Sequence, residues 1–220
     1  MNVSCTCYVI DITDINSSDL SDLLPYCSEK VITQSKKFYF KKDGLRKLVG
    51  HLLSLSLFPL SSKKDWAIHD ETGRPFIHST KTYHSFNISH DGDAVLVGHI
   101  ETPNVYCTLG CDVMDLSKAS SDERILSHTS FILTKAEQAF VNQSSDSLLA
   151  FMKIWTIKEA YVKAVSWGMT IPLNSLEVRF LDNQLSCVLR DNKKLSSQWV
   201  FHQSIIADSF IVAVAVGPLM

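Results

Sequence analysis

Several absences narrow the reading of this 220-residue chain. No charge of one sign dominates: 21 basic and 23 acidic residues leave a formal net charge of −2. A protein whose whole surface is an electrostatic footprint for nucleic acid is therefore excluded, and any anionic ligand must be met by a local cluster of Lys and Arg. No apolar run approaches the roughly 20 residues that span a bilayer. The six cysteines (Cys5, Cys7, Cys27, Cys107, Cys111, Cys187) contain no repeated Cys-x-x-Cys and no compact framework. They read as buried, reduced thiols, Cys5 and Cys7 sharing one face of a strand. The opening MNVSCTCYVIDITD has no basic segment and meets Asp11 and Asp14 early, unlike a secretory signal. The Asn-x-Ser sites at Asn2, Asn16, Asn87 and Asn142 then carry no meaning, and the expected location is cytoplasmic. There is no tandem repeat and no low-complexity tract.

With 45% hydrophobic and 20% charged residues, the chain has the balance of a globular protein with a core of useful size. Cys5–Ile12 alternates like a strand. Ser17–Ser18 is placed to cap a short helix carrying Leu20, Leu23 and Leu24. The stretch SKKFYFKKDGLRKLVGHLLSLSLF spaces Leu45, Leu48, Val49, Leu52 and Leu53 as one helical face, and Pro59 ends it. Lys36, Lys37, Lys41, Lys42, Arg46 and Lys47 make it the most basic part of the protein. From Trp66 to Ile100 short strands alternate with turns, with Ala94–Ile100 the clearest. A strand at Cys107–Val113 precedes helices at Glu123–Ile132 and Thr134–Gln143, the second opening on the capping pattern Thr134-x-x-Glu137. A long helix over Leu148–Trp167 is bounded by Gly168 and Pro172. Strands return at Leu176–Leu181, Leu185–Arg190, Trp199–Ser204 and Phe210–Val216. Each half mixes strands and helices alike, which predicts an α+β chain of two comparable lobes, 1–103 and 104–220, with a ligand cleft between them.

Four segments carry chemistry. Gly73-Arg74-Pro75-Phe76 presents a guanidinium on a stiffened turn, a shape suited to phosphate or a nucleobase edge. Phe86–Asp93, FNISHDGD, ends a strand on Ser89 and His90, which with backbone amides can donate to phosphate. Neighbours on a strand face opposite ways, so Ser89 and His90 do not make a nucleophile–base pair, and no G-x-S-x-G elbow exists. In Gly110–Asp115, GCDVMD, Asp112 lies near the end of an apolar strand. In Trp155–Ala164, WTIKEAYVKA, residues Trp155, Glu159 and Lys163 fall four apart on one helical stripe. That stripe can be a solvated Glu–Lys pair. It can also aim a carboxylate beside Asp112 to hold a hard cation, because Mg²⁺ commonly takes one or two protein carboxylates and completes its shell with phosphate and water.

Taken together and in order, these motifs resemble the surfactin-type (Sfp-type) 4′-phosphopantetheinyl transferases, and KKFYFKKDGLRKLVGHLL resembles that family's N-terminal helix. The likeness runs over nearly the whole chain. It implies a pseudo-dimer of two similar α/β lobes with coenzyme A in the cleft. It also implies transfer of the 4′-phosphopantetheine arm to a serine of an apo carrier protein, with release of adenosine 3′,5′-bisphosphate. Carried over by position, Arg46, Lys47, Gly73, Arg74, Pro75, Ser89, His90 and Lys163 would hold the nucleotide and its phosphates. Asp112 and Glu159 would bind Mg²⁺, with Mn²⁺ the alternative, and Glu159 would take the serine proton; Asp112, Glu159 and Lys163 form the catalytic set. Lys158 points off that stripe and is structural or solvated.

Two positions depart from the family pattern. Met114 stands where bacterial members often carry a third acid, as in the eukaryotic aminoadipate-reductase-activating branch, and Asp115 falls on the other face. Val31 and Gln34 stand where the family places phosphate-binding cations, so the 3′-phosphate contact is unassigned. Aminoadipate reductase (and with it lysine biosynthesis), fatty-acid synthase, and polyketide or peptide synthases are the implied carriers. No nucleic acid or membrane partner is expected, and a chain holding both halves of its cleft is expected to be a monomer. The competing reading is a catalytically silent module that binds CoA and carriers. A P-loop or kinase-type phosphotransferase is excluded, since neither signature is present.

Overall fold

The computed structural model describes residues 4–16, 18–57, 68–69, 75–78, 83–102, 107–119, 129–166, 172–182, 184–190, 193–194 and 199–218. The chain divides into two compact units, Met1–Val105 and Tyr106–Met220. Each is an antiparallel sheet arrangement carrying a long helix, so the chain is α+β and built of two similar lobes.

In the first unit five strands are ordered β1-β5-β4-β3-β2: β1 Ser4–Asp11, β2 Ile68–His69, β3 Pro75–His78, β4 Tyr83–Asp91 and β5 Ala94–Thr102. The β4–β5 hairpin closes through Gly92, whose φ of 55° suits a residue without Cβ. Helices α1 (Glu29–Ser35) and α2 (Lys41–Ser56) pack on each other, and α2 lies against β4 and β5. Leu45, Leu48 and Val49 of α2 form a core with Ile12, Leu20, Cys27 and Val95, as the helical spacing of the leucines predicts.

Two local expectations change here. The segment after Ser17 makes turns and a 3₁₀ helix at Leu24–Tyr26 instead of an α-helix; Pro25 has no N–H to continue a ladder. The basic stretch is also not one helix. It breaks at Phe38-Tyr39-Phe40, three consecutive aromatics whose χ1 freedom a helix restricts, and Tyr39 remains 93% exposed.

In the second unit one sheet is ordered β10-β11-β6 and another β7-β8-β9. Their ranges are β6 Cys107–Asp115, β7 Leu176–Leu181, β8 Gln184–Arg190, β9 Lys193–Lys194, β10 Val200–Ile206 and β11 Phe210–Pro218. A short α3 (Leu116–Ala119) follows β6, then a 3₁₀ turn at Thr129–Phe131, α4 (Lys135–Gln143) and α5 (Ser147–Val165). The helix expected over Glu123–Ile132 lies largely outside the described residues, and its last part is that 3₁₀ turn. Helix α5 is buried nearly all round, packing on β6, β11, α4 and β7. It starts on Asp146, whose carboxylate accepts from Leu149 N at 2.8 Å, and ends with Ser166 in the left-handed conformation at φ 55°. No helix among the described residues is long and apolar enough to cross a membrane.

Candidate active site

The second unit gathers Asp112, Glu159 and Lys163. Strand β6 turns Gly110, Asp112 and Met114 to one face by its two-residue period. At Gly110 a Cβ would stand 2.0 Å from Ala160 O and 2.3 Å from Ala164 N, so glycine lets the backbones of β6 and α5 meet. Thr108 ties the same contact by donating to Ala164 O at 2.5 Å. Two residues past that approach, Asp112 is buried against the helix and accepts a 2.6 Å hydrogen bond from Lys163 Nζ.

Glu159 lies one helical turn before Lys163 and is half-buried. Burial pushes its carboxyl above the ordinary carboxylate range and the negative Asp112 adds to that, while Lys163 pulls the other way. Two neighbouring acids, one of which opposes ionisation of the other, form a donor set suited to a hard cation. Among the described residues no group of three or more His, Cys, Asp or Glu could hold a metal ion, so a cation held by these two acids would need phosphate or water oxygens as further ligands. Asp115, on the opposite face, is engaged as an acceptor for Ser117 N and Oγ at 2.9 and 2.6 Å. Trp155, one turn before Glu159, packs beside Phe151 with ring centroids 6.0 Å apart.

Lys158 is structural, and it is not solvated. Its ammonium is fully buried and donates to Glu137 Oε2 at 2.6 Å, Ile132 O at 2.7 Å and Leu173 O at 3.0 Å. Burial pulls it below its ordinary range even though the Glu137 carboxylate opposes this. Glu137 itself closes the capping box with Thr134 and accepts from Val178 N at 2.7 Å. Sequence reading marked Glu137 only as a cap. Its second partner, 21 residues on, has no local signature.

In the first unit Ser89 is buried and His90 exposed, facing opposite ways as strand geometry requires. Arg46 closes on the turn that follows them: Nε donates to Gly92 O at 2.9 Å, a second guanidinium N–H reaches the same carbonyl, and Nη1 pairs with Asp43 at 2.5 Å. Lys42 pairs with Asp93 in the same turn. Lys47 instead lines a hollow of about 310 Å³ with Gln34, Lys37 and Phe38. Lys37 thus joins Lys47, a pairing that the break between α1 and α2 creates and a continuous helix would not. Gly73 and Arg74 lie outside the described residues, and Pro75 opens β3.

Residues 108–215 match the model of the 4′-phosphopantetheinyl transferase superfamily. Residues 16–101 match that of the 4′-phosphopantetheinyl transferase N-terminal region. The chain is 26% identical to the 4′-phosphopantetheinyl transferase Sfp of Bacillus subtilis, over 77% of this chain and 74% of that one. It is 24% identical to pptA, a 4′-phosphopantetheinyl transferase of Paxillus involutus, over 91% and 81%. It is 25% identical to the L-aminoadipate-semialdehyde dehydrogenase-phosphopantetheinyl transferase of Xenopus laevis, over 82% and 65%. Among solved structures, a holo-(acyl-carrier-protein) synthase of Bacillus anthracis in complex with CoA covers 51% of this chain and 96% of its own, at 23% identity and a TM-score of 0.40. The chain belongs to the 4′-phosphopantetheinyl transferase superfamily, on its Sfp-type side.

Proposed function

We propose that this enzyme moves the 4′-phosphopantetheine arm of coenzyme A onto a serine of an apo carrier protein, releasing adenosine 3′,5′-bisphosphate. The observation that carries the reading is the convergence of Asp112, Glu159 and Lys163 where β6 meets α5. Asp112 and Glu159 would hold a divalent cation such as Mg²⁺, or Mn²⁺, which when bound neutralises charge on the pyrophosphate. Lys163, held by Asp112, supplies a cation to the phosphoryl oxygens. Glu159 accepts the proton of the carrier serine as its oxygen attacks the phosphorus bearing the arm. A carboxyl raised by burial is a better base once ionised, and it must lose its proton first, so the rate rises with pH through that raised range.

On the nucleotide side Ser89, His90, Lys47 and the Gly73-Arg74-Pro75 turn bind phosphate and base, and Lys37 shares the hollow with Lys47. Two ammonium groups there supply the charge that Val31 and Gln34 lack. Arg46 holds the Gly92 turn beside His90 and acts through it. The carrier is the reductase of the aminoadipate type, in keeping with the relative named for that substrate, with synthase carrier domains as further acceptors. We place the enzyme in the cytoplasm as a monomer of two lobes, divided at 103/104.

The test incubates the protein with CoA, Mg²⁺ and an apo carrier domain and reads the carrier by intact mass. The carrier gains one phosphopantetheine arm with wild type, and Glu159→Gln and Asp112→Asn lower the rate by roughly 10²-fold or more. A panel of apo carriers left unmodified while CoA still binds would establish the silent module instead. Modification that survives both substitutions would keep the reaction and remove the assigned metal ligands.

A further inference from the structure

Strand β1 is the edge strand of its sheet, paired with β5 on one side. Cys5 and Cys7 lie two residues apart on it, so their side chains leave the same face. Both are exposed and not buried as the sequence suggests, because β1 is exposed over most of its length. The residue opposite Cys7 is Gly98, which has no side chain to crowd the thiol, and Ile100 stands opposite Cys5. The two side chains are in hydrogen-bond contact with each other.

Two fates are open to a pair of touching thiols, and the strand separates them. A disulfide needs its Cβ atoms about 3.5–4.5 Å apart. On an extended strand alternate residues are spaced by roughly 6.4–6.8 Å, and parallel Cα–Cβ bonds keep the Cβ atoms near that spacing. The ladder from Ser4–Glu101 to Asp11–Ala94 is unbroken, so nothing pulls the two backbones together. A bridging ion makes a smaller demand. Two metal–sulfur bonds of about 2.3 Å span up to roughly 4.6 Å, and side-chain rotation alone brings the sulfurs to that separation. Soft, d¹⁰ Cu(I) is satisfied by thiolate ligands and needs no third donor, and among the described residues no group of three or more His, Cys, Asp or Glu is placed to hold a metal.

We propose that Cys5 and Cys7 form a two-thiolate site for a soft, thiophilic monovalent cation, Cu(I). Both thiols give up a proton, both sulfurs bind the ion, and no electron is transferred. The contact with Cys7 is in keeping with this, since it draws the Cys5 thiol below its ordinary range and so eases loss of the first of the two protons. The site lies on β1, apart from Asp112 and Glu159 in sequence and in unit, and does not depend on the transferase reading.

The test titrates the full, reduced chain anaerobically with Cu(I) held by bicinchoninate and follows the colour of the chelate. Wild type withdraws one equivalent. Cys5→Ser and Cys7→Ser each weaken that binding by more than the roughly 10–100-fold that disturbing a supporting group costs. Cys187→Ser leaves it unchanged, and Cys27, Cys107 and Cys111 are buried out of reach. Serine on an exposed edge position keeps the fold, which far-UV circular dichroism verifies. Failure of wild type to withdraw copper overturns the proposal, as does withdrawal that persists in the double variant. Mild diamide oxidation provides a second arm: the peptide carrying both cysteines keeps its two thiol hydrogens. Their loss as an internal disulfide would remove the geometric premise.

Discussion

At the scale of the residue, environment rather than identity sets chemistry here. Glu159 and Glu137 are both glutamates on helices of one unit. The first is half-buried beside another acid and is held toward its neutral form. The second has a cation and two backbone N–H groups on its oxygens and serves as a strut. His51 makes the same point in the first unit. It is buried on α2, one turn from Lys47, and burial, reinforced by the Lys47 charge, brings it down to about 4. A base whose folded value lies below its unfolded one binds its proton more tightly when unfolded. Stability is therefore complete above pH 6.5 and is lost as pH falls from there through about 4. The loss is on the order of 3 kcal/mol, and urea unfolding across that window measures it. His51→Gln flattens this acid limb. A limb that keeps its slope in the variant would assign the loss to other groups.

At the scale of the element, α5 is positioned by two devices on opposite sides. Gly110 lets β6 approach it, and the Lys158–Glu137 pair ties it to α4, to the 3₁₀ turn at Leu173–Ser175 and to β7. A buried ion pair with every donor and acceptor used is costly to break from one side. Lys158→Ala should therefore destabilise by about 3–5 kcal/mol in denaturant unfolding, leaving Glu137 charged and unpaired. Replacing both partners with apolar residues should cost less than either single change, a result that a double-mutant cycle reads directly. Gly110→Ala acts through geometry instead. Its methyl meets backbone at 2.0 Å and not a side chain that can rotate, so β6 and α5 must separate. Asp112 then moves away from Glu159 and Lys163. The expected outcome is a loss of transfer comparable to Asp112→Asn, together with a lower Tm; full activity in this variant would show that the close approach is dispensable.

At the scale of the whole molecule, cohesion is uneven. Among the described residues the larger core cluster belongs to the second unit, where Ile154, Ile157, Ala160, Ala164, Ile211, Ala213 and Ala215 are completely buried. The first unit closes a smaller core around α2, and its β1 is exposed along most of its length. Amide exchange should accordingly be slowest at Leu109–Val113, Ile157–Val162 and Ile211–Ala215, and fast in the 3₁₀ turn at Leu24–Tyr26. Protection at Leu24–Tyr26 equal to that of β11 would refute this ordering.

Much of this protein was legible in the chain because its signals are local. The helical spacing of α2 and the Thr134–Glu137 box each lie within a few residues and reappear in the structure, and β5, β6 and β11 form where their apolar runs stand, although all three are buried on both faces instead of alternating. The stripe of Trp155, Glu159 and Lys163 follows from helical spacing, and the opposed faces of Ser89 and His90 follow from strand spacing. What the chain did not show requires partners far apart in sequence. Lys158 could be structural or solvated until Glu137, Ile132 and Leu173 surrounded it, and Arg46 had only the local Asp43 within reach until the Gly92 turn met it. The break at Phe38–Phe40 and the exposure of Cys5 and Cys7 likewise depend on which faces other elements cover. Residue spacing alone determined which side chains share a face. Only tertiary packing decided what meets that face, because burial and long-range pairing are properties of the folded chain and not of any window within it.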